Sequence, residues 1–381
     1  MRIYTLELPE CEEIHRTLQA LERNVMTLTE QEALATIQKQ NHNQMLFILP
    51  LYYSRESIYL IKIIELLDKY EIPILFVYKR KKKMKEPYTL PKKTIYETIQ
   101  IPADLIEVKL KLKSLQNICI QLYAAKVKEQ ELESIRNRIR VDLTLAKHIQ
   151  QLVLPPPISE IDIEIQGIFQ PSSEISGDLF FWMHIDEGEY GLIMIDVFGK
   201  GVYAALISMA IRSLMPGLIK RVKDPFKITK ELHEHMERLF QKLDEDTHKS
   251  TYFTAFIAYI NTKERQFQYV NSGHPPAIIY CPHTEDTHIL ATNSIPIGLN
   301  PHLDIEKHSF YYEPGSRFIV YTNGLIESPN HPNILRFDTL QKEFKEKIQQ
   351  DTSTLLHEML VSRMRHSEIN DDICLIAGTL Y

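Results

Sequence analysis

The stretch Tyr190-Gly191-Leu192-Ile193-Met194-Ile195-Asp196-Val197-Phe198-Gly199-Lys200-Gly201 decides the fold of the second half of this chain. The apolar run up to Ile195 is typical of a buried β-strand, and an aspartate follows it directly. The two glycines allow a tight turn that can bring a backbone carbonyl beside that aspartate. Oxygen donors in this arrangement suit a hard divalent cation.

Three further motifs place an oxygen-bearing side chain beside a strand-like segment. Ser176-Gly177-Asp178 precedes the first stretch, and we place it at the end of an apolar run. Downstream, the predicted strand Phe318–Tyr321 leads into Thr322-Asn323-Gly324, and the chain closes on Asn370-Asp371-Asp372. Side chains just past the ends of separate strands can meet at one point, where a pair of cations can hydrolyse a phosphate ester.

The composition excludes several classes of protein. The chain has 381 residues, 44% of them hydrophobic, and a formal net charge of −6, which argues against nucleic-acid binding. No apolar run approaches the roughly 20 residues that span a bilayer, and the N-terminus lacks signal-peptide features. The four cysteines are scattered without metal-ligand spacing. We expect a reduced, cytoplasmic protein that does not associate with membranes.

Residues 1–104 alternate strand-like and helix-like segments. This alternation predicts an α/β domain with an open parallel sheet covered by helices on both faces. The predicted strands are Arg2–Leu8, Val25–Leu28, Met45–Leu51, Ile72–Tyr78 and Thr98–Ile101, and the predicted helices are Cys11–Leu21, Glu30–Gln40 and Tyr59–Tyr70.

The order of these segments resembles a response-regulator receiver domain. The residues that a receiver uses for phosphorylation are replaced. Leu49-Pro50-Leu51 stands where the phosphate-accepting aspartate ends the third strand, and Tyr78-Lys79 stands near the expected hydroxyl. Ile101 replaces the lysine expected before Pro102. The resemblance therefore implies a degenerate receiver that serves dimerisation or partner binding.

Residues 105–154 contain neither proline nor glycine, and their apolar residues recur in steps of three and four. This spacing predicts a long helix with a coiled-coil seam, and a single amphipathic helix packed on its own domain is the alternative. We favour the seam because a helix of this length needs a partner for its apolar stripe, which predicts a homodimer through the N-terminal domain and this linker. Pro155-Pro156-Pro157 ends the helix.

Residues 155–381 show strands on either side of a helical pair, which predicts a layered α+β domain. The predicted helices are Val202–Leu218 and Phe226–Leu243, and the predicted strands are Ile161–Gln170, Tyr190–Ile195, Phe253–Ile260, Gln266–Asn271, Ala277–Tyr280 and Phe318–Tyr321.

Five motifs follow one another in this half: Ser176-Gly177-Asp178, Asp196–Gly201, Asn271-Ser272-Gly273-His274-Pro275-Pro276, Thr322-Asn323-Gly324 and Asp371-Asp372. The ordered series resembles the SpoIIE-type branch of the metal-dependent (PPM, type 2C) serine/threonine protein phosphatases, and the segment Leu145–Pro155 is similar to the linker of that branch. The resemblance covers roughly Leu145 to the C-terminus. It implies an antiparallel β-sandwich flanked by helices, with two Mn²⁺ or Mg²⁺ ions at one edge.

The resemblance also implies a set of metal ligands, namely Asp178, Asp196, the Val197 carbonyl, Asn323 and Asp371. Asp196 would bridge both ions, Asp178 and the Val197 carbonyl would complete one site, and Asn323 and Asp371 the other. Asp178, Asp196 and Asp371 are therefore the expected catalytic residues.

Other polar residues of the motifs have lesser expected roles. Asp372 would support its neighbour from outside the coordination sphere. Lys200 is a phosphate-contact candidate, although an exposed turn lysine is the simpler interpretation. We assign His274 to a turn between strands and leave it out of the catalytic set.

Two positions depart from the family pattern in ways that bear on activity. Asn323 stands where the family carries an aspartate, so a neutral carbonyl oxygen replaces a carboxylate and that ion should bind more weakly. Phe198 stands where related eukaryotic enzymes carry a histidine proposed as general acid, so the leaving group must take its proton from elsewhere.

The resemblance implies hydrolysis of phosphoserine or phosphothreonine on a regulatory partner, such as a STAS-type anti-sigma-factor antagonist, by a water activated between two metals. Asn323 keeps a second hypothesis open, a pseudophosphatase that binds a phosphoprotein without turnover. A third is a scaffold that only dimerises through its first 150 or so residues.

Overall fold

The computed structural model describes residues 2–8, 11–20, 25–39, 45–51, 58–79, 90–240, 251–300, 302, 304–326, 337–366 and 370–381. The chain divides into two compact units, Met1–Asn137 and Arg138–Tyr381. The boundary falls inside one long helix, α4 (Leu105–Leu152).

The first unit is built on a five-stranded parallel sheet with the strand order β2-β1-β3-β4-β5. This doubly wound order is the one found in receiver domains, and it confirms the predicted open parallel sheet. The strands are β1 (Arg2–Leu6), β2 (Val25–Leu28), β3 (Met45–Pro50), β4 (Ile74–Lys79) and β5 (Tyr96–Ile101).

Helices cover both faces of this sheet. On one face, α2 (Glu30–Lys39) and α3 (Ile58–Lys69) bury their apolar side chains against the strands. On the other face, α1 (Glu12–Ala20) shares a core with the start of α4, where Val108, Leu112 and Leu115 are buried. The first turns of α4 are therefore a packed helix of the first unit.

The second unit contains two antiparallel sheets. The first has the order β14-β11-β10-β9-β8, and the second has the order β13-β12-β15-β16-β7-β6. The strands are β6 (Ile158–Ser159), β7 (Ile163–Gln170), β8 (Leu179–Asp186), β9 (Glu189–Val197), β10 (Phe253–Asn261), β11 (Gln266–Ser272), β12 (Ala277–Cys281), β13 (Asp286–Leu290), β14 (His308–Tyr311), β15 (Ser316–Tyr321) and β16 (Ile373–Leu380).

Strand alternation divides the core of the second unit into layers. In β9, Leu192 and Met194 lie in the core shared by the two sheets, whereas Ile193 lies in the core beneath α5 (Val202–Val222) and α6 (Pro225–Phe240). The second sheet is covered in the same way by α7 (Phe337–Glu346) and α8 (Thr352–His366). This arrangement confirms the predicted antiparallel sandwich flanked by helices.

Several elements were not anticipated from the sequence. Strands β6, β8, β13, β14 and β16 and helices α7 and α8 were not predicted, and residues 241–243 of the predicted helix Phe226–Leu243 lie outside the described part of the chain. Helix α5 runs on past Leu218 to Val222 with Pro216 inside it. By length and composition it could cross a bilayer, contrary to the expectation that no apolar run is long enough. Its residues Ile211 and Met215 pack in the core of the second unit.

Candidate metal centre

Two antiparallel strands bring Asp178 and Asp196 to the same rim of the sandwich. Leu179, the first residue of β8, pairs with Ile195 near the end of β9. Asp178 directly precedes β8, and Asp196 is the second-last residue of β9. The expectation that Asp178 follows a strand was therefore wrong. Because paired antiparallel strands run in opposite directions, the start of one strand meets the end of its neighbour.

The second sheet contributes to the same rim. Tyr321 at the end of β15 pairs with Leu375 near the start of β16, so Thr322 and Asp372 leave the sheet side by side. Asp372 lies two residues before the core residue Cys374, and Asp178 lies two residues before Phe180. Each aspartate is therefore on the same face of the sheet as that core residue. These polar side chains thus enter the space between the two sheets.

The charged form of the Asp178 carboxyl is strongly disfavoured at this position. Burial raises its pKa well above the usual range, and the neighbouring Asp196 and Asp372 carboxylates raise it further, while the Thr322 hydroxyl acts in the opposite direction. Within the described residues, the buried Oδ2 of Asp178 has no hydrogen-bond partner. A buried carboxylate in this state is costly unless a cation neutralises it.

Asp372 holds the loop that carries Asp178. Its Oδ1 accepts hydrogen bonds from the backbone N–H and hydroxyl of Ser172 at 2.7 and 2.8 Å. Its Oδ2 accepts from the Ser176 hydroxyl at 2.6 Å and the Gly177 N–H at 3.1 Å. Four donors saturate this carboxylate, so Asp372 organises the loop that carries Asp178.

Asp371 lies at the partly exposed side of the rim, where its carboxylate is paired with Lys200. Its Oδ1 is 2.8 Å from Lys200 Nζ, which also donates to the Asn370 carbonyl at 2.7 Å. The hydrogen bond with Asp371 raises the pKa of Lys200. Lys200 therefore neutralises Asp371 in this conformation.

The remaining expected ligands also lie at this rim. The Val197 carbonyl is directed at the turn before Asp178, since it is 3.3 Å from the position a Cβ on Gly177 would take. Asn323 begins a 3-10 turn, Asn323–Leu325, directly after Thr322. The structure thus brings Asp178, Asp196 and the Val197 carbonyl together.

The donors at the rim fit a hard cation, although the described residues include no three His, Cys, Asp or Glu side chains arranged to hold one. The Oδ1 of Asp371 is engaged by Lys200 and by the backbone N–H of Asp372. Asp178 and Asp196 nevertheless offer carboxylate oxygens beside a backbone carbonyl, and one of these oxygens has no partner. Divalent ions such as Mg²⁺ and Mn²⁺ prefer this set of donors.

His274 lies in the turn between β11 and β12 and contacts neighbouring protein groups. Its backbone N–H donates to Asn271 Oδ1 at 2.8 Å, and its Nδ1 lies 2.7 Å from the Thr254 hydroxyl. Burial lowers the pKa of His274 to about 3. The ring is therefore neutral and structural at physiological pH.

The depressed pKa of His274 predicts acid sensitivity. Below about pH 6.5 an unfolded chain protonates this histidine while the folded chain does not until about pH 3, so stability falls as pH decreases. Between pH 7.5 and 5 this contribution amounts to roughly 2 kcal/mol, which His274→Asn should remove. Urea unfolding at both pH values, followed by the fluorescence of the single tryptophan, Trp182, measures the difference.

The matched control for this experiment is the exposed His288 on β13. His288→Asn should keep the wild-type loss of stability between the two pH values. An equal loss in wild type and His274→Asn would contradict the assignment of a buried, neutral ring.

Sequence reasoning missed two residues of the site. Thr322, whose hydroxyl acts on Asp178, has no predicted role within its motif. Gln150, which exchanges hydrogen bonds with the backbone of Ser176, has no predicted role within the linker segment. Thr322 lies two residues after the apolar Val320, so strand alternation could have placed it between the two sheets. No pattern in the helix marks Gln150 as buried.

Comparison with protein families matches residues 186–380, just over half of the chain, to the family described as Stage II sporulation protein E (SpoIIE). Among curated proteins, phosphoserine phosphatase RsbP of Bacillus subtilis is 33% identical over 235 residues, which are 62% of this chain and 57% of RsbP. Phosphoserine phosphatase RsbU of the same organism is 24% identical over 250 residues, which are 65% of this chain and 72% of RsbU.

Among solved structures, the SiaA-PP2C domain of Pseudomonas aeruginosa aligns with a TM-score of 0.55 and 17% identity. The alignment covers 65% of this chain and 99% of that domain. At this identity the likeness shows the fold alone. The match to RsbP spans little more than half of that relative's length.

Proposed function

The chain belongs to the SpoIIE family of metal-dependent serine/threonine phosphatases, and we propose that it hydrolyses phosphoserine or phosphothreonine on a regulatory partner protein. The observation that carries the proposal is the buried Asp178 carboxyl beside Asp196, with one oxygen lacking a partner among the described residues. The names of RsbP and RsbU, both phosphoserine phosphatases, support the same reaction.

The residues at the rim would hold two divalent cations, Mn²⁺ or Mg²⁺. Asp178, Asp196 and the Val197 carbonyl would bind one, while Asn323 and Asp371 would complete the other, with Asp196 shared. When bound, such ions neutralise the charge of a phosphomonoester and activate a water for in-line attack. We assign catalytic roles to Asp178, Asp196 and Asp371 on this basis.

We assign Lys200 a second role, which is contact with the phosphate of the substrate. Its ammonium group has to leave Asp371 before that carboxylate can serve as a ligand. The side chain is largely exposed, so it can then contact a phosphate that arrives from solvent. Phe198 offers no proton, so the leaving oxygen of the substrate takes its proton from water or another group.

A protein substrate agrees with the surface beside the rim. Phe198, Val202 and Leu206 are more than half exposed and lie at or just after the turn that follows Asp196. Exposed apolar side chains that lie close together in the chain beside a site support contact with another protein. The family resemblance makes a STAS-type anti-sigma-factor antagonist the partner that we propose.

We propose that residues 1–104 form a regulatory domain, 105–154 a helical linker whose first turns pack in the first unit, and 155–381 the phosphatase domain of a cytoplasmic homodimer. Leu132, Ile135 and Ile139 of α4 are exposed at helical spacing, which supports pairing of two copies along this helix. Light scattering of the full chain tests this, and a monomer mass at micromolar concentration would contradict it.

A phosphatase assay with the Asn323→Asp variant tests the proposed function. Wild type should release phosphate from a phosphoserine peptide with Mn²⁺ and stop in EDTA. Because Asn323→Asp adds a carboxylate ligand, it should lower the Mn²⁺ concentration needed for half-maximal rate by roughly tenfold. The rate is measured as inorganic phosphate over a Mn²⁺ titration.

The same assay separates the alternatives. Turnover only in Asn323→Asp would favour a pseudophosphatase that binds a phosphoprotein, which the neutral side chain of Asn323 keeps open. A dimerising scaffold would show neither turnover nor Mn²⁺ dependence in either protein.

A further inference from the structure

The last turns of α4 are hydrogen-bonded to the loop that carries Asp178. Gln150 is 2% exposed, and its side-chain Nε2 donates to the Ser176 carbonyl at 2.8 Å. The Ser176 backbone N–H donates back to Gln150 Oε1 at 3.0 Å. This reciprocal pair uses both polar atoms of the amide and fixes the backbone two residues before Asp178.

Ser176 connects Gln150 to Asp372 and Asp178 through its own hydrogen bonds. Its hydroxyl donates to Asp372 Oδ2 at 2.6 Å and accepts from the backbone N–H of Asp178 at 3.0 Å. The next residue, Gly177, has no spare room, because a Cβ there would lie 2.9 Å from the Ala204 side chain. The loop is therefore held between α4, α5 and Asp372 and can shift little while Gln150 is in place.

We propose that Gln150 is a positioning residue for Asp178 and thereby sets the affinity of the rim for divalent cations. Without the amide, the buried N–H and C=O of Ser176 lose their partners, and the loop must move until water reaches them. Asp178 moves with it, away from Asp196 and the Val197 carbonyl. The inference rests on the proposed function because it takes the ligand of Asp178 to be a cation.

A purely structural role for Gln150 would be to anchor the end of α4. Other contacts anchor the same end without touching the Asp178 loop. Arg212 of α5 donates from Nε to the Val153 carbonyl at 3.0 Å, and its guanidinium lies 3.9 Å from the centre of the Phe181 ring. Arg212→Met therefore loosens this junction and serves as the matched control for Gln150→Met.

The test is Mn²⁺ binding to the full chain, measured by electron paramagnetic resonance of the free ion, together with thermal unfolding of each variant. Gln150→Met should weaken Mn²⁺ binding by roughly tenfold or more, as is usual when a partner of a metal ligand is removed. Arg212→Met should lower the melting temperature but shift the Mn²⁺ dissociation constant less than about threefold. Gln151→Met, at an exposed position on the same turn, should match wild type in both measurements.

A second variant keeps the test decisive if Gln150→Met does not fold. Gln150→Glu keeps the acceptor for the Ser176 N–H but lacks the donor for its carbonyl, so it should weaken Mn²⁺ binding by a smaller factor. Wild-type affinity in either folded Gln150 variant would overturn the inference, and so would an equal loss in Arg212→Met. Failure of the proposed function would be seen separately, as wild type that binds Mn²⁺ but releases no phosphate.

Discussion

Asp196→Ala is expected to abolish Mn²⁺-dependent phosphate release, with a rate that falls roughly a thousandfold or more. Asp196 is the carboxylate proposed to be shared by both ions, so its loss removes a ligand from each. The stability of the apo protein should stay unchanged or rise, because the Asp196 charge raises the pKa of buried Asp178 and its removal relieves that repulsion. Phosphate release and urea unfolding in EDTA measure the two effects.

The matched control lies on the same hairpin. Asp186 is the last residue of β8, at the opposite end of the strand from Asp178, and its exposed carboxylate is 3.5 Å from Lys223 Nζ. Asp186→Ala should keep the rate within about twofold, because exposed ion pairs contribute little. A rate for Asp196→Ala close to that of wild type, or a loss explained by unfolding, would contradict the role assigned to Asp196.

Gly324→Ala is expected to unfold the rim. A Cβ on Gly324 would lie 2.0 Å from the backbone oxygen of Asp372 and 3.1 Å from that of Asp371. Asp372 cannot shift easily, because four donors hold its side-chain carboxylate. Gly324 cannot shift easily either, because the buried Arg363 donates from Nε to its carbonyl at 3.0 Å. We expect a loss of about 3 kcal/mol in stability and the loss of metal-dependent activity.

Gly217 provides the comparison for this substitution. It lies in α5, and a Cβ there would meet nothing within 4 Å. Gly217→Ala should leave activity intact and stabilise the protein by roughly 0.5 to 1 kcal/mol. Urea unfolding followed by Trp182 fluorescence measures both variants. If Gly324→Ala unfolded at the wild-type urea concentration, the close approach of Asp371 and Asp372 to this glycine would be wrong.

The N-terminal architecture could be predicted from the sequence because its signals are local. Apolar strands alternate with amphipathic helices, and this alternation alone specifies a parallel sheet with helices on both faces. The observed order β2-β1-β3-β4-β5 agrees with it. The receiver resemblance fits as well, since Pro50 ends β3 and Ile101 ends β5 as expected.

The site could be predicted only as a set of residues. Which residue lies at the start or the end of a strand depends on pairing between distant segments, as the misplaced Asp178 illustrates. The hydrogen bonds of Asp372 to Ser172 span 200 residues of chain, and no local pattern reveals them. Lys200 pairing with Asp371 is likewise a tertiary contact, and the sequence showed only a turn lysine.

The helices α7 and α8 were missed for a different physical reason. In α8 the apolar residues are diluted by charged and polar ones, so its periodic signal is weak. Helix α7 has a clear apolar stripe but only 10 residues, which is shorter than the window over which helical periodicity is counted. Arg363 of α8 is 2% exposed, and burial lowers the pKa of its guanidinium. Sequence reasoning assigns an arginine to the surface, whereas here it bonds the carbonyl of Gly324 inside the domain.

Anomalous diffraction from a crystal of the full chain grown with Mn²⁺ tests the central claim most directly. We expect two manganese peaks about 3.5 to 4 Å apart at the rim, with Asp196 between them, Asp178 and the Val197 carbonyl on one, and Asp371, released from Lys200, on the other. The claim would be contradicted by manganese that is bound only elsewhere. It would also be contradicted if Asp371 stayed paired with Lys200 in the crystal while millimolar Mn²⁺ supported phosphate release in solution.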